Sequence, residues 1–179
     1  MLSLFSQTNA DIGAKLAALD RSQAIIEFDL DGTIRTANEN FLATVGYRLD
    51  EIQGKHHRMF VDPSYAASRE YQQFWMELAG GTYQAAEYKR FGKGGKEVWI
   101  QASYNPILDM NGQPFKVVKY ATDITERIRQ QERLKLLLNQ ISGHADTLAS
   151  SAEELTAVKR GHAGRRPSWV RQGTGAHWP

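Results

Sequence analysis

The chain has 179 residues, a formal net charge of +2 and no cysteine. This length suits one domain of ordinary size with extensions, and the lack of thiols excludes disulfides, thiolate metal sites and cysteine nucleophiles. No apolar run approaches the ~20 residues that a membrane-spanning helix needs, and the N-terminus lacks the basic start of a secretory signal. We therefore expect a soluble, cytoplasmic protein.

Four zones follow one another along the chain. Residues 1–22 predict a helix, because apolar side chains recur at roughly helical spacing at Phe5, Ile12, Leu16 and Leu19. Residues 23–124 predict a compact α+β domain, and residues 125–158 predict a long helix. The tail, 159–179, holds five of the 22 basic residues and none of the 20 acidic ones. The rest of the chain is therefore mildly acidic, which argues against nucleic acid as a partner.

Within residues 23–124, strand and helix signals follow a clear order. Strands are predicted at 24–28, 33–37, 82–91, 96–108 and 114–124. Short helical segments are predicted at 38–45 and 49–60, and a longer helix at 64–78 between Pro63 and Gly80. The connections between the late strands are too short for crossovers, so the sheet is expected to be antiparallel.

The segment Asp29-Leu30-Asp31-Gly32-Thr33 allows two interpretations. It resembles the nucleophile motif of haloacid dehalogenase-like phosphatases, in which the first Asp attacks phosphorus. It is also typical of a hairpin turn, because Asp and Gly suit the backbone of tight turns. No later acidic pair and no parallel strands with helical crossovers are predicted, so we favour the turn and keep the phosphatase as a remote alternative.

The order of elements and several motifs resemble a PAS domain. The matching segments are "DGTIRTANENF" (31–41), "VGYRLDEIQGK" (45–55), "KRFGKGGKEVWIQASYNPI" (89–107) and "ATDIT" (121–125). The resemblance implies a five-stranded antiparallel sheet with short helices on one face, flanked by an N-terminal helix and a C-terminal coiled-coil helix. It is strongest to the PAS modules of bacterial chemotaxis and aerotaxis transducers, which implies a sensory, non-enzymatic role. An intact transducer of that kind acts on a chemotaxis coupling protein and a histidine kinase.

The long helix carries an uninterrupted heptad repeat. Its apolar positions step by four and three residues at Leu134, Leu138, Ile141, Ala145, Leu148, Ala152 and Leu155. This pattern predicts a coiled coil and hence a homodimer. The segment "SSAEELTAV" (150–158) resembles the start of a chemoreceptor signalling region, and the pattern ends there. We interpret the chain as truncated before the signalling tip, with 159–179 as a frameshift product or as a natural basic tail that is disordered alone.

Candidate ligand groups follow from the same resemblance. PAS modules of this kind hold FAD or haem, or have no known ligand. His57 is a candidate for a haem ligand, and Trp75, Trp99 and Asn38 are candidates for contacts with a flavin ring. The simpler interpretation is that the two Trp rings pack in the core and that His56 and His57 are solvated or capping. Adjacent histidines without a third ligand do not predict a zinc site.

The end of the last strand is the expected signalling joint. Asp123 and Thr125 are candidate relay residues, because a capping side chain at a strand-to-helix joint can be made or broken. We therefore predict a sensory module that relays ligand, redox or partner state to a dimeric helical output. The alternative is a cofactor-free PAS module for protein interaction or dimerisation.

Overall fold

A computed structural model describes the backbone of residues 2–163 and the side chains of residues 9–155. Helix α1 (Leu2–Ser22) precedes a sheet built from β1 (Ala24–Phe28), β2 (Ile34–Ala37), β3 (Gln84–Phe91), β4 (Glu97–Leu108) and β5 (Pro114–Asp123). Between β2 and β3 lie α2 (Glu39–Val45), α3 (Leu49–Ile52), a 3-10 turn (His57–Phe60), α4 (Pro63–Ala66) and α5 (Arg69–Ala79). Helix α6 (Thr125–Ala163) follows the last strand.

The sheet has five strands in the order β2-β1-β5-β4-β3, and every neighbouring pair is antiparallel. The predicted α+β class and the five-stranded antiparallel sheet are confirmed. Hairpins join β3 to β4 and β4 to β5, while β1 and β5 meet as neighbours through sequence-distant pairing. The last strand therefore lies at the centre of the sheet and contacts strands on both sides.

The segment that resembles a phosphatase motif is a hairpin turn. The Asp31 carboxylate accepts a hydrogen bond from the Thr33 N–H at 2.9 Å, and the Asp29 N–H donates to the Thr33 carbonyl at 2.8 Å. Gly32 has a φ of +90°, which an L side chain rarely adopts. The turn interpretation is confirmed, because the flanking strands β1 and β2 are antiparallel. The phosphatase alternative requires parallel strands with helical crossovers, and every strand pair in the described residues is antiparallel.

The predicted helix at 64–78 is wrong as a single element. Helix α4 ends at Ala66, and α5 begins after Ser68, whose hydroxyl accepts a hydrogen bond from the Tyr71 N–H. Ser68 has an extended backbone with ψ of 160°, so this capping side chain starts a new helix instead of continuing the first one. The break sets the direction of α5, which lies over strands β4 and β5.

One face of the sheet forms the core. Along β4, buried residues alternate with exposed or half-buried ones, from Val98 to Tyr104. We call the buried side the inner face; helices α2 and α5 cover it, with buried Phe41, Leu42, Tyr71, Trp75 and Leu78. The opposite side, the outer face, carries Trp99, Gln101 and Ser103 on β4. A ligand that reorganises the core must therefore act on the inner face.

Contacts divide the chain into two units, residues 1–129 and residues 130–179. In the second unit, helix α6 continues past the predicted end at residue 158 to Ala163, and the remaining predicted tail lies outside the described residues. The heptad side chains of α6 are exposed, as Leu134, Leu138, Ile141, Leu148 and Leu155 show. None of the helices in the described part of the chain is both long and apolar enough to cross a membrane.

Candidate functional site

His57 lies at the centre of a hydrogen-bonded cluster on the inner face. The 3-10 turn carries it inward, and its side chain is fully buried. Its Nδ1 lies 2.9 Å from the Tyr71 hydroxyl on α5, and its Nε2 lies 3.0 Å from the Tyr104 hydroxyl on β4. The neighbouring His56 stays near the surface, where its Nδ1 accepts a hydrogen bond from the Arg58 N–H. One histidine therefore caps a turn, and the other links helix to sheet.

Burial decides the protonation state of His57. The pKa of His57 is well below its usual value of 6.5, first because burial penalises the imidazolium and then because Arg90 and Lys119 are positively charged neighbours. A neutral imidazole has one donor and one acceptor nitrogen. One tyrosine hydroxyl therefore donates to the ring and the other accepts from it.

Two buried cations complete the cluster. Arg90 on β3 is 6% exposed and Lys119 on β5 is 1% exposed. The Arg90 Nη2 donates to the Tyr104 hydroxyl at 3.3 Å, and the Lys119 Nζ lies 4.8 Å from the centroid of the Tyr104 ring. Burial lowers the pKa of Lys119 to about 8. For Tyr104, burial raises the pKa, but the charges of Arg90 and Lys119 outweigh it and bring the pKa below 10.

Aromatic rings surround this polar centre. Phe28 contacts the rings of His57 and Trp75 edge to face, both at centroid distances of 5.4 Å, and Phe74 contacts Tyr104 at 5.0 Å. Rings arranged at these distances attract one another beyond the effect of burial alone. The cluster, which we call the ring cluster, comprises Phe28, His57, Tyr71, Phe74, Trp75, Arg90, Tyr104 and Lys119.

Among the described residues, two buried donors of the ring cluster make no hydrogen bond of normal geometry. They are the Trp75 Nε1–H and the Arg90 Nε–H. A buried N–H without a partner costs free energy comparable to a lost hydrogen bond. Together with the two cations, these groups make the cluster rich in donors and poor in acceptors, so its polarity suits a ligand that accepts hydrogen bonds.

The four predicted ligand residues do not share one site. His57 and Trp75 lie together in the ring cluster, with ring centroids 5.4 Å apart. Trp99 lies on the outer face. The expectation that His57 is solvated or capping is wrong, because the 3-10 turn buries it, whereas the same expectation holds for the capping His56.

Asn38 is a structural link instead of a member of the ring cluster. Its side-chain oxygen accepts hydrogen bonds from the Ile25 N–H at 2.8 Å and from the Phe41 N–H at 3.0 Å, which caps α2. Its amide nitrogen donates to the carbonyls of Asp20 and Gln23 at the end of α1. Asn38 thus ties α1, β1 and α2 together.

The predicted relay residues lie at the joint between β5 and α6. The Asp123 carboxylate accepts from the Thr125 N–H at 2.8 Å. The Thr125 hydroxyl accepts from the Trp99 N–H at 2.9 Å, and the Ile124 N–H donates to the Trp99 carbonyl at 2.8 Å. An ion pair between Arg127 of α6 and Glu87 of β3 adds a further contact. The start of α6 is therefore fixed to β4 and β3.

The ring cluster accommodates neither FAD nor haem, the two cofactors that the resemblance implies, without rearrangement. Both nitrogens of His57 are hydrogen-bonded, so neither is available to haem iron while those bonds persist. The unpartnered donors suit the acceptor edge of a flavin, but the aromatic rings fill the centre of the core. A tricyclic flavin ring fits there only if some of these side chains move.

A family model described as the PAS fold matches residues 34–121. This match, the strand order and the joint to a long helix together define a sensory domain of signal-transduction proteins. Residues 34–121 are therefore a PAS domain.

Two curated relatives contain a region similar in sequence to this domain. The biofilm dispersion protein BdlA of Pseudomonas aeruginosa is 46% identical over 127 residues, which cover 71% of this chain and 30% of BdlA. The aerotaxis receptor of Escherichia coli is 28% identical over 141 residues, covering 78% of this chain and 26% of the receptor. The solved structure of an RNA-binding light-oxygen-voltage receptor aligns with a TM-score of 0.56 at 25% identity, over 73% of this chain and 37% of that chain. The chain thus spans less than a third of the length of either curated relative.

Proposed function

We propose that this chain is a non-catalytic sensory module of a cytoplasmic, chemoreceptor-like protein that converts a change in the ring cluster into a change in helix α6. The observation that carries the proposal is the joint, where the Thr125 hydroxyl and the Trp99 backbone hold the first turn of α6 to β4. Strand β4 also carries Tyr104 of the ring cluster on its inner face. A shift of this strand therefore acts on both places.

The output is proposed to be a pair of α6 helices. Leu134, Ile141, Leu148 and Leu155 occupy equivalent heptad positions, all of them exposed. Exposed leucines at this spacing are stabilised when a second helix covers them. In a longer relative, the paired helices would continue to the surfaces that bind a chemotaxis coupling protein and a histidine kinase.

If the stimulus is a redox change, FAD and haem are the candidate cofactors that would sense it. The similarity to the aerotaxis receptor supports testing them, and the donors at Trp75 and Arg90 supply hydrogen bonds that a flavin accepts. An absorbance spectrum of the freshly purified chain decides between them: a Soret band indicates haem and flavin bands indicate FAD. A spectrum with neither supports the cofactor-free module for ligand sensing or protein interaction.

The relay is tested by cysteine cross-linking, since the chain has no natural cysteine. Leu148→Cys places a thiol in the heptad seam, and Ser150→Cys places one on the far side of the same helix turn. We expect disulfide-linked dimers from the first variant and few from the second, because cross-linking needs Cα atoms within about 7 Å. Equal cross-linking of both variants contradicts the paired helices.

Coupling is then measured in the Leu148→Cys background. Thr125→Val removes the hydroxyl that binds the Trp99 backbone, and we expect the cross-linking rate to change at least about twofold because a lost hydrogen bond of ~1 kcal/mol loosens the joint. Thr44→Val is the matched control, since its hydroxyl donates only to the Asn40 carbonyl within α2. An unchanged rate in Thr125→Val would contradict the relay.

A further inference from the structure

Three neighbouring strands bring two positive charges and one phenol together inside the core. Arg90, Tyr104 and Lys119 come from β3, β4 and β5, and all three side chains are buried. Lys119 pairs directly with Tyr104 across the β4–β5 ladder, and Arg90 reaches the same phenol through its Nη2. The two cations share this neutral phenol, and their other partners are also uncharged: Arg90 donates its Nη1 to the Lys89 carbonyl at 2.8 Å, and Lys119 lies 5.5 Å from the centroid of the Phe41 ring.

No carboxylate of the described residues balances these charges. Among the residues that the structure describes, the salt bridges of Arg and Lys involve other side chains, and the charged or titratable groups that act on Lys119 are Tyr104 and Arg90. The same two cations and His56 act on His57. Buried charge without a counter-ion is strongly unfavourable, so an anion that entered this region would gain the whole of that attraction.

The unmatched hydrogen-bonding groups are of one kind. Trp75 Nε1–H and Arg90 Nε–H are both donors without an acceptor. The Nε and Nη2 of one guanidinium lie on the same edge, which matches the two oxygens of a planar carboxylate. Here the Nη2 contacts only the Tyr104 hydroxyl, at the long distance of 3.3 Å. That edge is therefore available for a stronger acceptor.

Small side chains line the sheet next to Tyr104 and Lys119. The register aligns Ala24, Ala121, Ala102 and Ala86 in one row across four strands. The next row contains Ile26, Lys119, Tyr104 and Gln84. Alanine side chains occupy the least volume of any residue with a Cβ, so a small displacement of the surrounding rings is enough to open space along this row beside Tyr104 and Lys119. Only a small ligand is compatible with the surrounding aromatic rings.

We propose that the inner face is a binding site for a small carboxylate anion, held by Arg90 and Lys119 beside Tyr104, with Trp75 as a further donor. The inference rests on the proposed sensory function and names its stimulus: the carboxylate is the signal that shifts β4 and β5. A compact monoanion fits better than a phosphate, because a phosphate dianion loses far more hydration on entering an apolar core. The aromatic walls favour a short alkyl chain on the carboxylate.

Thermal unfolding of the full chain tests the proposal with matched pairs of probes. Formate, acetate and propionate are compared with formamide, acetamide and propionamide at constant ionic strength set with chloride. We expect a saturable rise in Tm of about 5 °C with at least one carboxylate, as ligand binding to the native state produces, and none with the amides. Equal shifts with acids and amides, shifts with chloride alone, or no shift with any carboxylate would overturn the proposal.

Two lysine variants locate the site. Lys119→Met removes the buried charge while keeping an unbranched side chain, so we expect it to fold and to lose the carboxylate-dependent rise. Lys116→Met is the matched control on the same strand; Lys116 pairs with Glu27, and we expect the rise to remain. A rise that survives Lys119→Met overturns the inference. The comparison of Leu148→Cys with Ser150→Cys is made without added carboxylate, so a negative result here leaves the helical output to be judged by its own experiment.

Discussion

The ring cluster and the joint at α6 are both places where several elements meet through hydrogen bonds, but they differ in how completely those bonds are made. At the joint, both backbone groups of Trp99, the Thr125 N–H and the Ile124 N–H have partners. In the ring cluster, two donors make no hydrogen bond of normal geometry and two cations have no carboxylate partner among the described residues. A satisfied joint transmits a displacement without changing its own bonds, whereas an unsatisfied core has free energy to gain from a ligand.

Within the ring cluster, the side chains that stabilise the domain differ from those that we expect to respond to a ligand. Apolar burial of the rings stabilises the domain, and the buried Arg90 and Lys119 work against it. The ring cluster therefore combines close aromatic contacts with buried charges that oppose folding. A substitution that removes a buried ring should therefore lower the free energy of unfolding, and one that removes a buried charge should raise it.

The largest effect is expected from the apolar contribution. Phe28→Ala removes a fully buried ring that contacts His57, Trp75 and Tyr104, and we expect it to lower the free energy of unfolding by about 3–5 kcal/mol. Urea denaturation followed by circular dichroism measures this loss. The control is Phe115→Ala on β5, where the side chain is 47% exposed and the expected loss is at most about 1 kcal/mol. Similar losses for both would contradict the placement of the core.

Sequence reasoning predicted the sheet because its signals are local. The turns at Asp31-Gly32 and Asp109–Gly112 use side-chain carboxylates that accept from nearby N–H groups, as in the Asp109 bonds to Asn111 and Gln113. Such contacts depend only on residues a few positions apart, so they can be read from the sequence alone. The hairpins then specify an antiparallel sheet.

The ring cluster was missed because it depends on which side chains face inward together. Lys119 shares the inner face with Val117 and Ala121 in the alternation of β5, and this position was the available signal that the lysine is buried. The two hairpins place β3, β4 and β5 side by side, but the register that aligns Tyr104 with Lys119, and the distant helix residues that cover them, cannot be read from a local pattern. Trp99 was predicted to contact a flavin for the same reason, because the residue type alone does not show which face of the sheet a strand residue occupies.

The second prediction is a gain in the free energy of unfolding, where the first is a loss. Lys119→Met replaces an uncompensated buried charge by an apolar side chain, and we expect the free energy of unfolding at pH 7 to rise by about 2 kcal/mol. In the wild type, the pKa of Lys119 is about 8 when folded, below its ordinary value of 10.5. The unfolded chain then binds more protons between these values, so wild-type stability rises with pH across that window and the advantage of the variant shrinks.

Urea denaturation at pH 7 and pH 10 measures both parts of this prediction. Lys116 lies on the outer face of the same strand and pairs with Glu27. Lys116→Met should lower stability slightly or leave it unchanged, and its difference from the wild type should be the same at pH 7 and pH 10. A variant at position 119 that is less stable than the wild type at pH 7 would mean that a buried anion or ionised phenol already balances the lysine.

The smallest effect is expected from His57 in mild acid. Burial lowers the pKa of His57 well below 6.5, so the unfolded chain takes up a proton in a range where the folded chain does not. Wild-type stability should therefore fall as the pH drops from 6.5 to 5.5, and His57 should account for about 1 kcal/mol of that fall. His57→Gln is neutral throughout and should show a flatter pH dependence on a lower overall stability. His144→Gln, at an exposed position of α6, should keep the wild-type slope. Because His57 joins Tyr71 to Tyr104, a flatter slope would show that the bond between helix and sheet requires the neutral imidazole, and an unchanged slope would show that the ring is already protonated in the folded chain.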